Sequence, residues 1–71
     1  MVNLEFNATQ SGQTQIRFID QMGRVAQTYY QTTTAGNNLM NLDINSVPAG
    51  VYFVQMISNE QTITKRLVIS H

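Results

Sequence analysis

The feature that most constrains this chain is an alternation of apolar and polar residues that returns from one end to the other. In "VNLEFNA", Val2, Leu4, Phe6 and Ala8 alternate with Asn3, Glu5 and Asn7. A period of two places one set on a single face of an extended strand. "TQIRFID" sets Ile16 and Phe18 against Arg17, and "LMNLDI" sets Met40, Leu42 and Ile44 on one side. "RVAQTYYQTT" is rich in β-branched and aromatic residues, and "VYFVQMIS" and "TITKRLVIS" are two further strands joined by "SNEQ". "TQSGQ", "DQMG", "TAGNN" and "NSVPAG" break the chain between them. No segment sustains a helical period, and no capping box leads into one. Short strands at this spacing predict an all-β fold, an antiparallel immunoglobulin-like β-sandwich of six or seven strands.

The chain has 71 residues, enough for one domain, 1–71. A chain this short buries only about 60% of the surface its unfolded form exposes, so its stability is thin. There is no cysteine, which removes disulfides and thiol chemistry but does not fix the compartment. Four basic and four acidic residues cancel. Gln, Asn, Thr and Ser must cover the surface instead. A surface of that kind has no phosphate-binding patch, which argues against nucleic acid as a partner. No apolar run approaches the length of a membrane-spanning helix. The start, "MVNLEFNATQ", lacks the basic and apolar regions of a signal peptide. Met1 and His71 are each read as either native or introduced by cloning.

The densest apolar run follows the chain's single proline, in "SVPAGVYFVQM". Pro48 presets φ for a turn, and Gly50 relaxes the point where the chain re-enters a strand. Tyr52 stands two residues further on. In immunoglobulin-like sandwiches a tyrosine at this kind of corner bonds upstream backbone, two residues before a core position. That position here is Val54. Tyr52, Val54 and Met56 are therefore expected in the core. Val51 and Phe53 point the other way, either partly covered or forming an apolar patch. Asp20 and Gly23 occupy the first and last positions that a type I turn prefers. Met22 at its tip is either a contact residue or folded back on the sandwich end.

Catalytic constellations fail on residue count. The single histidine is His71, at the extreme terminus, and no "GxSxG" elbow accompanies the serines. Glu5 and Glu60 read as solvated. Asp20 and Asp43 flank turns, where aspartate commonly bonds its own backbone; a weak calcium site at either is the alternative. No zinc set and no phosphate loop is present, so no cofactor is expected. Tyr29 and Tyr30 are adjacent and must face opposite ways. One belongs to the core, and the other is free to stack on a sugar.

Four blocks, "FIDQMGRV", "AGNNLMNLDI", "VPAGVYFVQMIS" and "TITKRLVIS", occur in this order from about Asn3 to Ser70. Together they resemble the C-terminal sorting domains of type IX secretion cargo. The resemblance implies a noncatalytic signal that directs a folded cargo from the periplasm across the outer membrane. The implied partners are the outer-membrane translocon, its β-barrel shuttle and a surface peptidase that removes the domain. The implied destination is the cell surface or the medium. The chain would then be part of a larger exported protein. Carried onto this sequence, the aspartate–glycine turn is Asp20 and Gly23, followed by Arg24. The corner is Pro48, Gly50 and Tyr52, and the basic terminal strand is Lys65, Arg66, Leu67, Val68 and Ile69. Many members carry a glycine in the last hairpin, where this chain has "SNEQ". A terminal strand at a sheet edge can pair with another chain, and the same edge offers a route to a homodimer. The plainer reading of Lys65 and Arg66, which alternate across the strand, is protection of that edge from aggregation. Two other functions compete: an accessory carbohydrate-binding or spacer module of a secreted hydrolase, and a structural adhesion repeat.

Overall fold

The computed structural model describes residues 2–58 and 61–70, and of Val2 only the backbone. The described residues form six strands and no helix. These are β1 (Val2–Ala8), β2 (Gly12–Ile19), β3 (Val25–Thr33), β4 (Gly36–Leu42), β5 (Gly50–Ser58) and β6 (Gln61–Ile69). They make two antiparallel sheets. One pairs β1 with β4, and the other runs β3-β2-β5-β6. The expectation of six or seven strands thus resolves to six among the described residues. The hairpin connection "SNEQ" falls partly outside them, at Asn59 and Glu60, as do Met1 and His71.

Alternation becomes burial as a period of two requires. Leu4, Phe6 and Ala8 of β1 and Met40 and Leu42 of β4 are buried. They share a single core with Ile16 and Phe18 of β2 and Tyr52, Val54 and Met56 of β5. Two sheets that contribute to one core are two layers, and the shortest dimension of the body, 16 Å, suits sheets packed about 10 Å apart. The central strands β2 and β5 register Ile16 against Met56 and Phe18 against Val54. All four of these side chains are fully buried. Burying a side chain of this size is worth about 1.5–3 kcal/mol, so the centre of the larger sheet supplies much of a small domain's stability. One end of the core is polar. Thr14 and Thr33 are buried there and share a hydroxyl–hydroxyl bond of 2.9 Å, while Thr33 Oγ1 also donates to the Gly12 carbonyl at 3.2 Å.

One boundary departs from the sequence reading. "TAGNN" reads as a break, yet Gly36, Asn37 and Asn38 already belong to β4 and pair with Ala8, Asn7 and Phe6. The turn is confined to Thr34 and Ala35, and Gly36 takes the left-handed region at φ 105°. Asn38 organises the connection. Its amide nitrogen donates to the carbonyls of Thr34 at 2.8 Å and Gly36 at 3.0 Å, and its oxygen accepts the Thr34 N–H at 3.0 Å.

The link from β4 to β5 carries the chain from the smaller sheet to the larger. It buries Ile44 and Val47, and the Val47 N–H closes a turn onto the Ile44 carbonyl at 2.9 Å. Two tyrosines fasten it. Tyr29 donates its hydroxyl to the Asp43 carbonyl at 2.6 Å, where the link begins. Tyr52 donates to the Pro48 carbonyl at 2.6 Å, where it ends. Phe18 lies between them, 5.6 Å from the Tyr29 ring edge-on and 6.2 Å from the Tyr52 ring. Both hydroxyls satisfy a backbone acceptor while the rings contribute to the core.

Candidate functional site

The terminal strand is an edge. Among the described residues β6 pairs with β5 on one side and with no strand on the other. Its register places Lys65 opposite Val54, Leu67 opposite Tyr52 and Ile69 opposite Gly50, so these three residues lie on the core-facing side. Ile69 is buried, and Leu67 packs partly against the core. Arg66 pairs with Phe53 and Val68 with Val51, which puts both on the outer face. The five candidate residues therefore divide between the two sides of the strand. Lys65 and Arg66 do face opposite ways.

Lys65 is not idle. Its ammonium donates to the Glu5 carbonyl of β1 at 3.1 Å. At the start of β6, Gln61 Nε2 donates to the Asn7 carbonyl at 3.1 Å and Gln61 Oε1 accepts the Thr9 N–H at 3.2 Å. The two side chains clasp the otherwise unpaired edge of β1 from the neighbouring sheet. Satisfying edge groups in this way removes a template for unwanted strand pairing. The clasp joins residues more than fifty positions apart, and nothing in the local pattern around "TKR" or "NEQ" announces it.

The second group of candidates sits in two turns. Around Asp20 the Gly23 N–H closes onto the Asp20 carbonyl at 3.0 Å, and Gly23 adopts φ 83°. Asp20 Oδ1 accepts the N–H groups of Met22 and Arg24, each at 2.9 Å, and Oδ2 accepts Arg24 Nε at 3.2 Å. The Arg24 backbone amide does most to hold the Asp20 carboxyl below its ordinary value, and the Met22 amide and the Arg24 charge add to it. The tip is open, with Met22 77% exposed. Past the turn the register slips between Phe18 and Ile19, so that Ala26 is an extra residue in β3, a bulge at the sheet margin.

At the corner, Pro48 and Tyr52 are joined by the hydroxyl–carbonyl bond already described, and Gly50 opens β5. A side chain added at Gly50 would lie 3.7 Å from the Tyr52 ring. Tyr52 and Val54 are buried, and Phe53 is 43% exposed on the other side. The corner adjoins the terminal strand, with Gly50 opposite Ile69 and Tyr52 opposite Leu67, and the Asp20 turn follows Ile19, which pairs with Phe53, so the corner, the turn and the end of β6 lie at one end of the larger sheet.

The remaining described carboxylates do not gather. Asp43 Oδ1 accepts the Asn45 N–H at 3.0 Å. Among the described residues no group of three or more His, Cys, Asp or Glu could hold a metal ion. Tyr29 is the half-buried member of its pair, and desolvation, with the Asp43 charge nearby, raises its hydroxyl above the ordinary tyrosine value. Tyr30 is 63% exposed on the outer face, and Gln15 Nε2 reaches its hydroxyl at 3.4 Å.

Residues 1–70 match the model of one family, the secretion system C-terminal sorting domain. The chain belongs to that family. Type IX sorting domains are signals and not catalysts. They engage the secretion machinery and are cleaved, and a protein that carries one is secreted. No curated protein and no solved structure matches the chain.

Proposed function

We propose that this sorting domain is the terminal part of a larger exported protein, and that it is read through β6. On this reading, Lys65 to Ile69 present an open edge to the outer-membrane translocon and its β-barrel shuttle while the cargo waits folded in the periplasm. A surface peptidase then removes the domain as the cargo reaches the cell surface or the medium. The observation that carries this is the one-sided pairing of β6, whose free backbone groups can add to another strand. The same edge is the route by which two copies would form a homodimer. The Tyr52 corner supports kinship with immunoglobulin-like sandwiches.

The test is a periplasmic reporter fused ahead of the domain in a host with type IX machinery. Removing residues 65–71 also removes Ile69 from the core and Lys65 from the clasp, so loss of export there would not separate recognition from unfolding. A folded protein appended after His71 keeps every residue and obstructs the end of β6. Export should be lost while the thermal unfolding of the domain is unchanged. Continued export of that fusion would refute the terminal-strand reading. Tyr30, exposed beside Gln15, favours a second reading as an accessory sugar-binding module. Glycan binding by the 71-residue chain, together with failure to export the reporter, would select it.

A further inference from the structure

Among the described residues no strand covers the outer face of the four-stranded sheet. Register sets its side chains in rows across β3, β2, β5 and β6. One row is Val25, Ile19, Phe53 and Arg66, and Val51 and Val68 lie side by side next to it. Val25, Phe53 and Val68 are 44%, 43% and 60% exposed. On the other side of the first row stand Thr28, Arg17, Gln55 and Thr64. Two arginines thus frame an apolar patch. Arg17 Nη1 donates only to the neutral Gln55 Oε1, at 3.3 Å, and Arg66 has no partner among the described residues. No described carboxylate balances them on this face. Glu5 lies on the other sheet, Asp20 is engaged by Arg24, and Asp43 sits in the β4–β5 link.

We propose that this face docks an acidic protein segment that carries exposed apolar side chains. Among the described residues the charge it presents is of one sign and has no carboxylate against it, which selects a partner of opposite sign. The apolar side chains supply area that a charge contact alone would not use, as exposed patches rimmed by polar residues do at interaction sites. Two arginines are too few for an anionic membrane, where each contributes about 1 kcal/mol. They are also too few for the multiple phosphate contacts that nucleic acid binding relies on. The surface shares Arg66 and Val68 with β6, but it is the side-chain face of the sheet and not the free backbone edge, so the proposal goes beyond the terminal-strand reading and stands whether or not that reading holds.

The experiment is a methyl NMR titration of the 71-residue chain. The probes are a peptide alternating Glu with Phe and Val, its counterpart with Lys in place of Glu, and phosphatidylglycerol vesicles. The Glu peptide should move the methyl signals of Ile19, Val25, Val51 and Val68 saturably and leave those of Leu39, on the opposite layer, in place. Arg66→Glu, at an exposed position, should weaken that binding about tenfold with unchanged thermal unfolding, and adding Arg17→Glu should abolish it. Absence of saturable shifts with the Glu peptide would overturn the proposal. So would an equal response to the Lys peptide, a response to the vesicles alone, or shifts centred on Leu39. None of these readings depends on export, so their failure is distinguishable from failure of the reporter test.

Discussion

The Pro48–Tyr52 corner and the Asp20–Arg24 turn are both short reversals built on a glycine and one side-chain anchor, yet they are held by different physics. Tyr52 puts its ring into the core beside Phe18 and leaves only its hydroxyl to bond the backbone. Asp20 works in solvent and satisfies two N–H groups and a guanidinium at once. The first anchor is secured by burial and the second by the number of its polar contacts. Burial is insensitive to pH and salt, whereas exposed charged contacts yield to both. The corner therefore belongs to the frame of the domain. The turn is a local arrangement that can loosen without the sheets parting.

The sharpest way to break this contrast is Tyr52→Ala. Loss of the ring from the core should cost about 3 kcal/mol or more, read as a fall in the urea midpoint by far-ultraviolet circular dichroism. Asp20→Ala should cost clearly less in the same assay; an equal loss would mean the turn also belongs to the frame. Gly23→Ala comes next. A side chain at φ 83° is strained although nothing crowds it, so a loss of about 1–2 kcal/mol is expected. Tyr52→Phe and Tyr29→Phe each remove one hydroxyl bond and should cost about 1 kcal/mol apiece. Because both rings flank Phe18 and both fasten the same link, the double variant should depart from additivity by about 0.5 kcal/mol or more. Strict additivity would show that the two fastenings act independently.

Acid titration probes the same difference at smaller amplitude. Asp20 has a lowered folded value, so its contribution is complete above its ordinary value of 3.8 and is lost as the pH falls through the folded value below it. The wild-type chain should lose stability in that acid window, and Asp20→Asn should flatten the slope there. Tyr29 acts at the other end. Its raised value means its contribution is full below the ordinary value of 10.0 and is lost as pH rises through the higher folded value. The smallest effect is expected at the turn tip, where Met22→Ser should stay within about 0.5 kcal/mol.

The parts of this molecule legible in its sequence are those with a local period. Alternation located the strands and named the inward residues Leu4, Phe6, Ile16, Phe18, Met40, Leu42, Val54 and Met56. The spacing of Pro48, Gly50 and Tyr52 made the corner readable, because the donor and its acceptor lie four residues apart. The beginning of β4 was hidden because Gly36, Asn37 and Asn38 carry no apolar side chain to show an alternation. Tyr29 was legible as one of a pair split between core and surface, but its bond to Asp43 depends on how the sheets stack. The clasp from Gln61 and Lys65 was illegible for the same reason, since it joins β6 to β1 across 52 to 60 positions. Lys65 in particular read as an address or an edge guard, and its contact with Glu5 adds a third occupation that no local pattern encodes.

The clasp also orients the molecule's two ends. Gln61 meets Asn7 and Thr9, while Lys65, further along β6, meets Glu5, nearer the start of β1. The first and last strands therefore run in opposite directions alongside each other, and the chain enters and leaves the body at the same pole. A passenger joined upstream would hang beside the outgoing tail instead of at the far end of the domain. Any machine that grips that tail would meet the junction with the passenger within the same grasp.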